Sequence, residues 1–324
     1  MSDKPSRTER LTGMIWGQFI GDAAGMGCHW IYNLTELDKA FPGGVQGFDQ
    51  PPEGHYHANK APGGFTHYGD AALILLESVA EQNGFDPVAF GQAFASGMDS
   101  KAGYAGYLDS ATRGTLENIK TWREANPDQA CDYQLGADDD QMAGVTSLTP
   151  VVAAHADDPD LEAVIERAVR VRQNNDRAVA YTRAHTRILK ELLAGRDVHS
   201  ALHRVEETVP DLGDFGLEIR RKIGEAFSLK LKDATEATGE LGQACPLLSS
   251  FPAALHAFIR HHEDGFEAAV LATLRAGGDN AGRAAMIGAW LGAHNGVDAL
   301  PSAWIDQVSA KDRIQQAVTR IVGG

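Results

Sequence analysis

Residues 275–296 read RAGGDNAGRAAMIGAWLGAHNG, and this stretch decides the fold. Gly277 and Gly278 deliver Asp279 to the start of a helical segment built almost wholly from small and apolar residues. Gly278, Gly282, Gly288 and Gly292 recur along it with little side-chain bulk, so another backbone or a ligand can approach closely. A helix N-terminus attracts anions through its unpaired N–H groups and its dipole. An acid at that position is therefore either a cap or a site.

The same design recurs at residues 63–81, GGFTHYGDAALILLESVAE, where Asp70 opens an apolar helix. Near the beginning of the chain, residues 17–25 (GQFIGDAAG) place Asp22 within a small-residue helix beside Trp16, Phe19, Ile20 and Met26. A carboxylate in such surroundings needs a partner if it is buried. Capping explains any one of these acids. Three of them beside closely packed backbones predict convergence of Asp22, Asp70 and Asp279 on one cleft.

The bulk composition narrows the class. The chain has 324 residues, 43% of them hydrophobic, enough for a sizeable core. Asp and Glu total 44 against 29 Lys and Arg, a formal charge of −15, which argues against a nucleic-acid backbone as the main partner. Cys28, Cys131 and Cys245 are far apart and carry neither a disulfide framework nor zinc-finger spacing. With no signal-peptide pattern and no apolar run of membrane length, the expectation is a reduced, cytoplasmic protein without a membrane partner.

Helical periodicity dominates, with segments expected near 6–27, 70–82, 86–100, 110–123, 142–154, 158–172, 176–194, 197–208, 214–228, 247–262, 265–275, 280–294, 301–307 and 310–321. Asp86-Pro87, Asp158-Pro159 and Asp264-Gly265 mark helix starts. No alternating run suggests a sheet, and no linker separates two compositions. The fold class is all-α, with residues 1–324 forming one domain. The least regular part, 41–69, is rich in Gly and Pro and contains His55, His57 and His67. Its His55-x-His57 pair reads as solvated loop side chains or as metal ligands. The acids of residues 138–140 read as a solvated turn.

Four segments, GQFIGDAAG, GGFTHYGDAALILLESVAE, GQACPLLSSFPAALHAF and AGGDNAGRAAMIGAWLGAHNG, stand in the order seen in the ADP-ribosylglycohydrolase family. The chain resembles that family from about residue 10 to about 300, and most of all the branch related to the J-type crystallins. The resemblance implies an all-α fold with a central cleft and chemistry on an ADP-ribose-like glycosidic bond. In the family's hydrolases, two Mg²⁺ or Mn²⁺ ions lie between a Thr-Asp-Asp and an Asp-x-Asp-Thr segment. The corresponding positions here are Tyr68-Gly69-Asp70 and Asp279-Asn280-Ala281-Gly282. Only Asp70 and Asp279 remain as carboxylate ligands. A hard divalent ion needs about six oxygens and several negative charges, so the site is expected to hold at most one weakly bound Mg²⁺. The preferred alternative is a metal-free site in which Arg283, four residues from Asp279 on the same helix face, pairs with Asp279, Asp70 or both.

The resemblance therefore implies a hydrolase-like protein that cleaves an N- or O-glycosidic bond of an ADP-ribose-type small molecule or ADP-ribosylated substrate, at a degenerate metal site. The alternative is a non-catalytic nucleotide-like binder or a crystallin-like structural protein. Asp70 and Asp279 are the candidate bases, with Asp22 orienting the substrate. His29, His67, Tyr68, Asn174, Gly278, Asn280 and Arg283 are candidate substrate-binding groups. Asn174 and His29 also read as a turn residue and a helix-terminal structural residue. Cys245 reads as a packed residue before a helix.

Overall fold

The computed structural model describes residues 4–323 and, among them, contains helices and three isolated bridges but no extended strand. The α-helices in chain order are α1 (Arg7–Gly25), α2 (Leu34–Ala40), α3 (His67–Gln82), α4 (Pro87–Gly97), α5 (Ser110–Ala125), α6 (Thr149–Ala154), α7 (Leu161–Arg172) and α8 (Asp176–Leu193). They continue with α9 (Val198–Thr208), α10 (Gly216–Ser228), α11 (Ala234–Leu241), α12 (Leu247–His261), α13 (Phe266–Arg275), α14 (Asn280–Asn295), α15 (Ser302–Gln307) and α16 (Lys311–Val322). One continuous cluster of buried apolar side chains runs from Met14 to Val318. None of the described helices is long and apolar enough to cross a membrane.

The centre of the molecule is the pairing of α1 with α14. Gly13, Gly17 and Gly21 on α1 face Gly292, Gly288 and Ala284 on α14. A Cβ added at Gly17 would lie 2.0 Å from the Gly288 carbonyl oxygen, and one at Gly288 would lie 2.0 Å from the Gly17 carbonyl oxygen. A Cβ at Gly292 would lie 1.9 Å from the Gly13 carbonyl oxygen. The two backbones thus touch with no side chain between them, a separation reachable only where small residues recur every fourth position. Both helices are buried along most of their length, and the remaining helices pack around this pair.

Side-chain capping explains half of the α-helix starts. Ser6 and Glu9 form a reciprocal capping box on α1. Asp86 caps α4 with Pro87 in its first turn, as its sequence implies. Asp158 accepts from the Asp160 N–H one turn ahead of α7, and α13 starts at Gly265 without a side-chain cap. Some boundaries differ from the sequence expectation. The segment expected at 142–154 is helical only from Thr149. The helix expected at 70–82 begins at His67, because Thr66 rather than Asp70 is its N-cap. The short α2 and α11 carry too few apolar repeats to stand out from periodicity. Residues 41–66 contain no helix.

Candidate active site

The end of α1, the 41–66 loop, the first turn of α3 and the start of α14 meet at one place. Trp30 N–H donates to the Gly278 carbonyl at 2.8 Å and Gly278 N–H donates to the Ile31 carbonyl at 2.9 Å, locking the chain after α1 to the start of α14. Gly277 and Gly278 have φ of 69° and 67°, a conformation open to glycine and costly for most side chains. Trp30 itself has φ of 63°. A bulky residue held there is strained, and it turns the indole over the site.

Asp279 is fully buried and makes no cap bond to its own helix. Its Oδ2 accepts from the Tyr68 hydroxyl at 2.8 Å and from Trp30 Nε1 at 3.2 Å, while its Oδ1 has no hydrogen-bond partner. Trp30, Tyr32, Tyr56 and Tyr107 wall a cleft of about 310 Å³, with Asp109, Arg113 and Cys245 also on its lining, and Trp30 separates Asp279 from it. Asp109 caps α5 through one oxygen, accepting from the Thr112 N–H at 2.9 Å, and its Oδ2 is unpartnered. Burial works against the Asp109 charge, but His67, Arg172 and the Thr112 bonds outweigh it and hold the carboxyl below its usual range. Burial pushes the Cys245 thiol up and so disfavours its thiolate form.

The three acids expected to share one cleft all meet residues 66–70, yet they do not open into one space. Asp22 is buried and structural. Its Oδ1 accepts the Thr66 N–H at 2.9 Å and its Oδ2 accepts the Thr66 hydroxyl, so it anchors the start of α3 and is not placed to orient a ligand. Burial pushes the Asp22 carboxyl up to about 7 despite these bonds. Asp70 lines a different groove, with Gly64 and Arg313. There its Oδ2 takes the Lys60 ammonium and the Tyr104 hydroxyl, the latter at 2.7 Å.

Arg283 departs from expectation as well. It is fully buried, but no ion pair joins it to Asp279 or Asp70. Its guanidinium donates to the carbonyls of Gln243, at 3.1 Å, and Gly277. Gly277, in the loop that delivers Asp279, and Gln243, in the loop between α11 and α12, both turn carbonyls toward the guanidinium fork, which ties the two loops together. Burial lowers the Arg283 pKa to about 10, so it stays charged at neutral pH. The cation that pairs with a motif acid is Lys60, on Asp70. Asn280 is buried away from the cleft, bonding the Leu274 and Cys28 carbonyls. Gly278 acts through its backbone. Asn174 is exposed, accepts from Arg170 at 2.6 Å and lines no part of the cleft, while its neighbour Asn175 caps α8. Tyr68 reaches Asp279 from within the core.

Two features escaped sequence reasoning. Asp109, one residue before the segment expected at 110–123, was not singled out. His57, expected as a solvated loop side chain or a ligand, is fully buried and joins His29 and His67. Each of the three offers one ring nitrogen, and these nitrogens lie within 4.8 Å of one another. Burial is the largest influence on all three rings and lowers their pKa values.

The carboxylate-held ion pair implied by the resemblance does not fit these residues. A side chain at position 69 would start 2.2 Å from Asp22 Oδ1, and Ala281 is pressed against Gly25. Acids have no room at either position. Asp70 is engaged by Lys60, and one oxygen of Asp279 is filled by Tyr68 and Trp30.

An all-helical body, an α1–α14 backbone contact and a carboxylate at the start of α14 define a glycohydrolase-type helical fold, and the chain belongs to the ADP-ribosylglycohydrolase family, whose profile matches residues 3–324. Among curated proteins it is 27% identical to crystallin J1A of Tripedalia cystophora, over 95% of this chain and 94% of that protein. It is 22% identical to the ADP-ribosyl-[dinitrogen reductase] glycohydrolase of Rhodospirillum rubrum, over 95% of this chain and 92% of that one. A solved structure described as an ADP-ribosylglycohydrolase-related protein complex superimposes with a TM-score of 0.76 at 23% identity and covers 98% of each chain.

Proposed function

We propose that the cleft over Asp279 binds an ADP-ribose-type group and that the protein hydrolyses a glycosidic bond at its ribose without a carboxylate-held metal pair. One observation carries this reading. Asp109 lines an aromatic-walled cleft that also presents Arg113, Asp279 lies buried behind the Trp30 wall of that cleft, and each of the two carboxylates keeps one oxygen without a hydrogen-bond partner. The aromatic walls suit stacking of a base or a sugar face, and an arginine suits a phosphate. Cleavage of a ribosyl bond passes through an oxocarbenium-like state. A fixed carboxylate lowers the energy of that cation, and a second one orients or deprotonates the attacking water. Asp279 is placed for the first role. Asp109, held ionised and lining the cleft, is placed for the second. The Tyr68 and Trp30 donors fix the Asp279 carboxylate in advance.

A second reading, binding without turnover, is favoured by the complete burial of Asp279, which Trp30 roofs over. The two readings separate in one experiment. The protein is incubated with ADP-ribosylated arginine and serine peptides, free ADP-ribose is measured by HPLC, and ADP-ribose binding is measured by calorimetry in parallel. Hydrolysis predicts release of ADP-ribose that persists in EDTA-treated protein without added Mg²⁺ and falls at least about 100-fold in Asp279→Asn. Binding without release supports the second reading. Neither binding nor release overturns both.

A further inference from the structure

We propose that His29, His57 and His67 form a binding site for one divalent transition-metal ion of the zinc class, separate from the carboxylate positions of the family motif. The inference rests on the geometry of the three imidazoles and not on the proposed hydrolysis. Three elements supply the ligands: His29 follows the last turn of α1, His57 comes from the 41–66 loop, and His67 opens α3. One nitrogen from each ring lies within 4.8 Å of the other two, close enough for a single ion to reach all three.

Burial gives the second support. All three side chains are 0% exposed, and none of their six ring nitrogens has a hydrogen-bond partner. Buried polar atoms are normally satisfied, because leaving one bare costs about 1–3 kcal/mol. His185 is also buried with both ring nitrogens bare, but it stands alone beside Trp290. An orphaned histidine is therefore not by itself a ligand, whereas three whose nitrogens converge present a coordination set.

The surroundings complete the site. His29 Nδ1 lies 3.7 Å from Asp279 Oδ1, and His67 Nε2 lies 3.5 Å from Asp109 Oδ2. Both carboxylate oxygens lack hydrogen-bond partners. A carboxylate beside a ligating imidazole fixes its ring and tautomer, and here two of them also offset the charge of a divalent ion. Three imidazoles with no thiolate suit Zn²⁺ and its neighbours Co²⁺ and Ni²⁺, whereas Mg²⁺ prefers oxygen ligands. A bound ion would tie the irregular loop to the two helices that frame the cleft.

The test uses the full-length protein, stripped with chelator and titrated separately with Zn²⁺, Co²⁺ and Mg²⁺. The expected result is one equivalent of Zn²⁺ or Co²⁺ per chain, a Co²⁺ absorption band typical of nitrogen ligation, a Tm raised by Zn²⁺, and no response to Mg²⁺ at the same concentration. His57→Gln should weaken Co²⁺ binding roughly 100-fold, while His185→Gln, outside the cluster, leaves it unchanged. If His57→Gln does not fold, Asp109→Asn serves instead, with an expected loss of roughly tenfold or more. Failure of the unaltered protein to bind Zn²⁺ or Co²⁺, or binding undiminished in the cluster variants, overturns the proposal. Because the readouts are metal content, spectrum and Tm, the result is independent of whether ADP-ribose is released.

Discussion

Asp279 and Asp109 show how little a side chain's position in a helix reveals about its duty. Asp279 sits where a cap belongs and makes no cap bond, whereas Asp109 makes its cap bond, lines the cleft and keeps its second oxygen buried beside His67. The importance of Asp279 was legible in the sequence because two glycines and a small-residue helix surround it. Asp109 was not, because the choice between cap and site excluded residues that are both. His57 was equally hidden, since burial of a loop histidine depends on what the loop packs against. Arg283 was legible as important, but its partners are main-chain carbonyls, which no pattern of charged residues announces. Arg283→Met should therefore cost about 2–4 kcal/mol in urea denaturation, because it removes the donor to the Gly277 carbonyl and one of two donors to the Gln243 carbonyl, and leaves Asp279 without a nearby cation. His185 offers a pH test remote from the cleft. Burial lowers its pKa to about 3, so its neutral form is favoured in the folded chain. Between the ordinary value near 6.5 and about 3, the unfolded state binds an extra proton. The His185 contribution to stability is complete above pH 6.5 and declines by about 1.4 kcal/mol per unit as the pH falls toward 3. His185→Leu should flatten that part of a Tm-against-pH profile, and an unchanged slope would refute the assignment.

At the scale of elements, the decisive feature is the line of glycines on α1 and α14. Its periodicity was readable, since residues four apart share a helix face, and so was the conclusion that something must approach closely. That the approaching object is the other such helix follows only from the fold. Gly288→Ala should cost about 3 kcal/mol, because the new methyl can be accommodated only by pushing the helices apart. Gly224 on α10, where an added Cβ meets nothing within 4 Å, is the control. Its replacement by alanine should be neutral or stabilising by about 0.5–1 kcal/mol, from helix propensity alone. Equal losses at both positions in urea denaturation would show that the α1–α14 contact is not special. The absence of a helix from 41–66 was legible from its Gly and Pro content, but the placement of His55 and His57 within it was not.

For the molecule as a whole, composition and periodicity were enough to give an all-helical body, and the four segments shared with the family were enough to give its type. The chemistry of the site departs from the family pattern at positions 68, 69, 281 and 282, where the structure replaces acids and threonines with bulk, close contact and hydrogen-bond donors. The contact at the centre also has a consequence for how the chain reaches its final form. Gly13 and Gly292 stand at opposite ends of the sequence, yet their backbones touch. During synthesis, α1 leaves the ribosome first and its apolar, glycine-lined face has no surface to settle on until residue 292 has emerged. Nucleation by local contacts can build the helices in between, but the pairing that unites them carries a large loop-closure cost, as do the contacts of α1 with α15 and α16. Assembly of the core is therefore a late event, and the cleft, whose Trp30 wall is held by bonds to Gly278 and Asp279, is complete only after it.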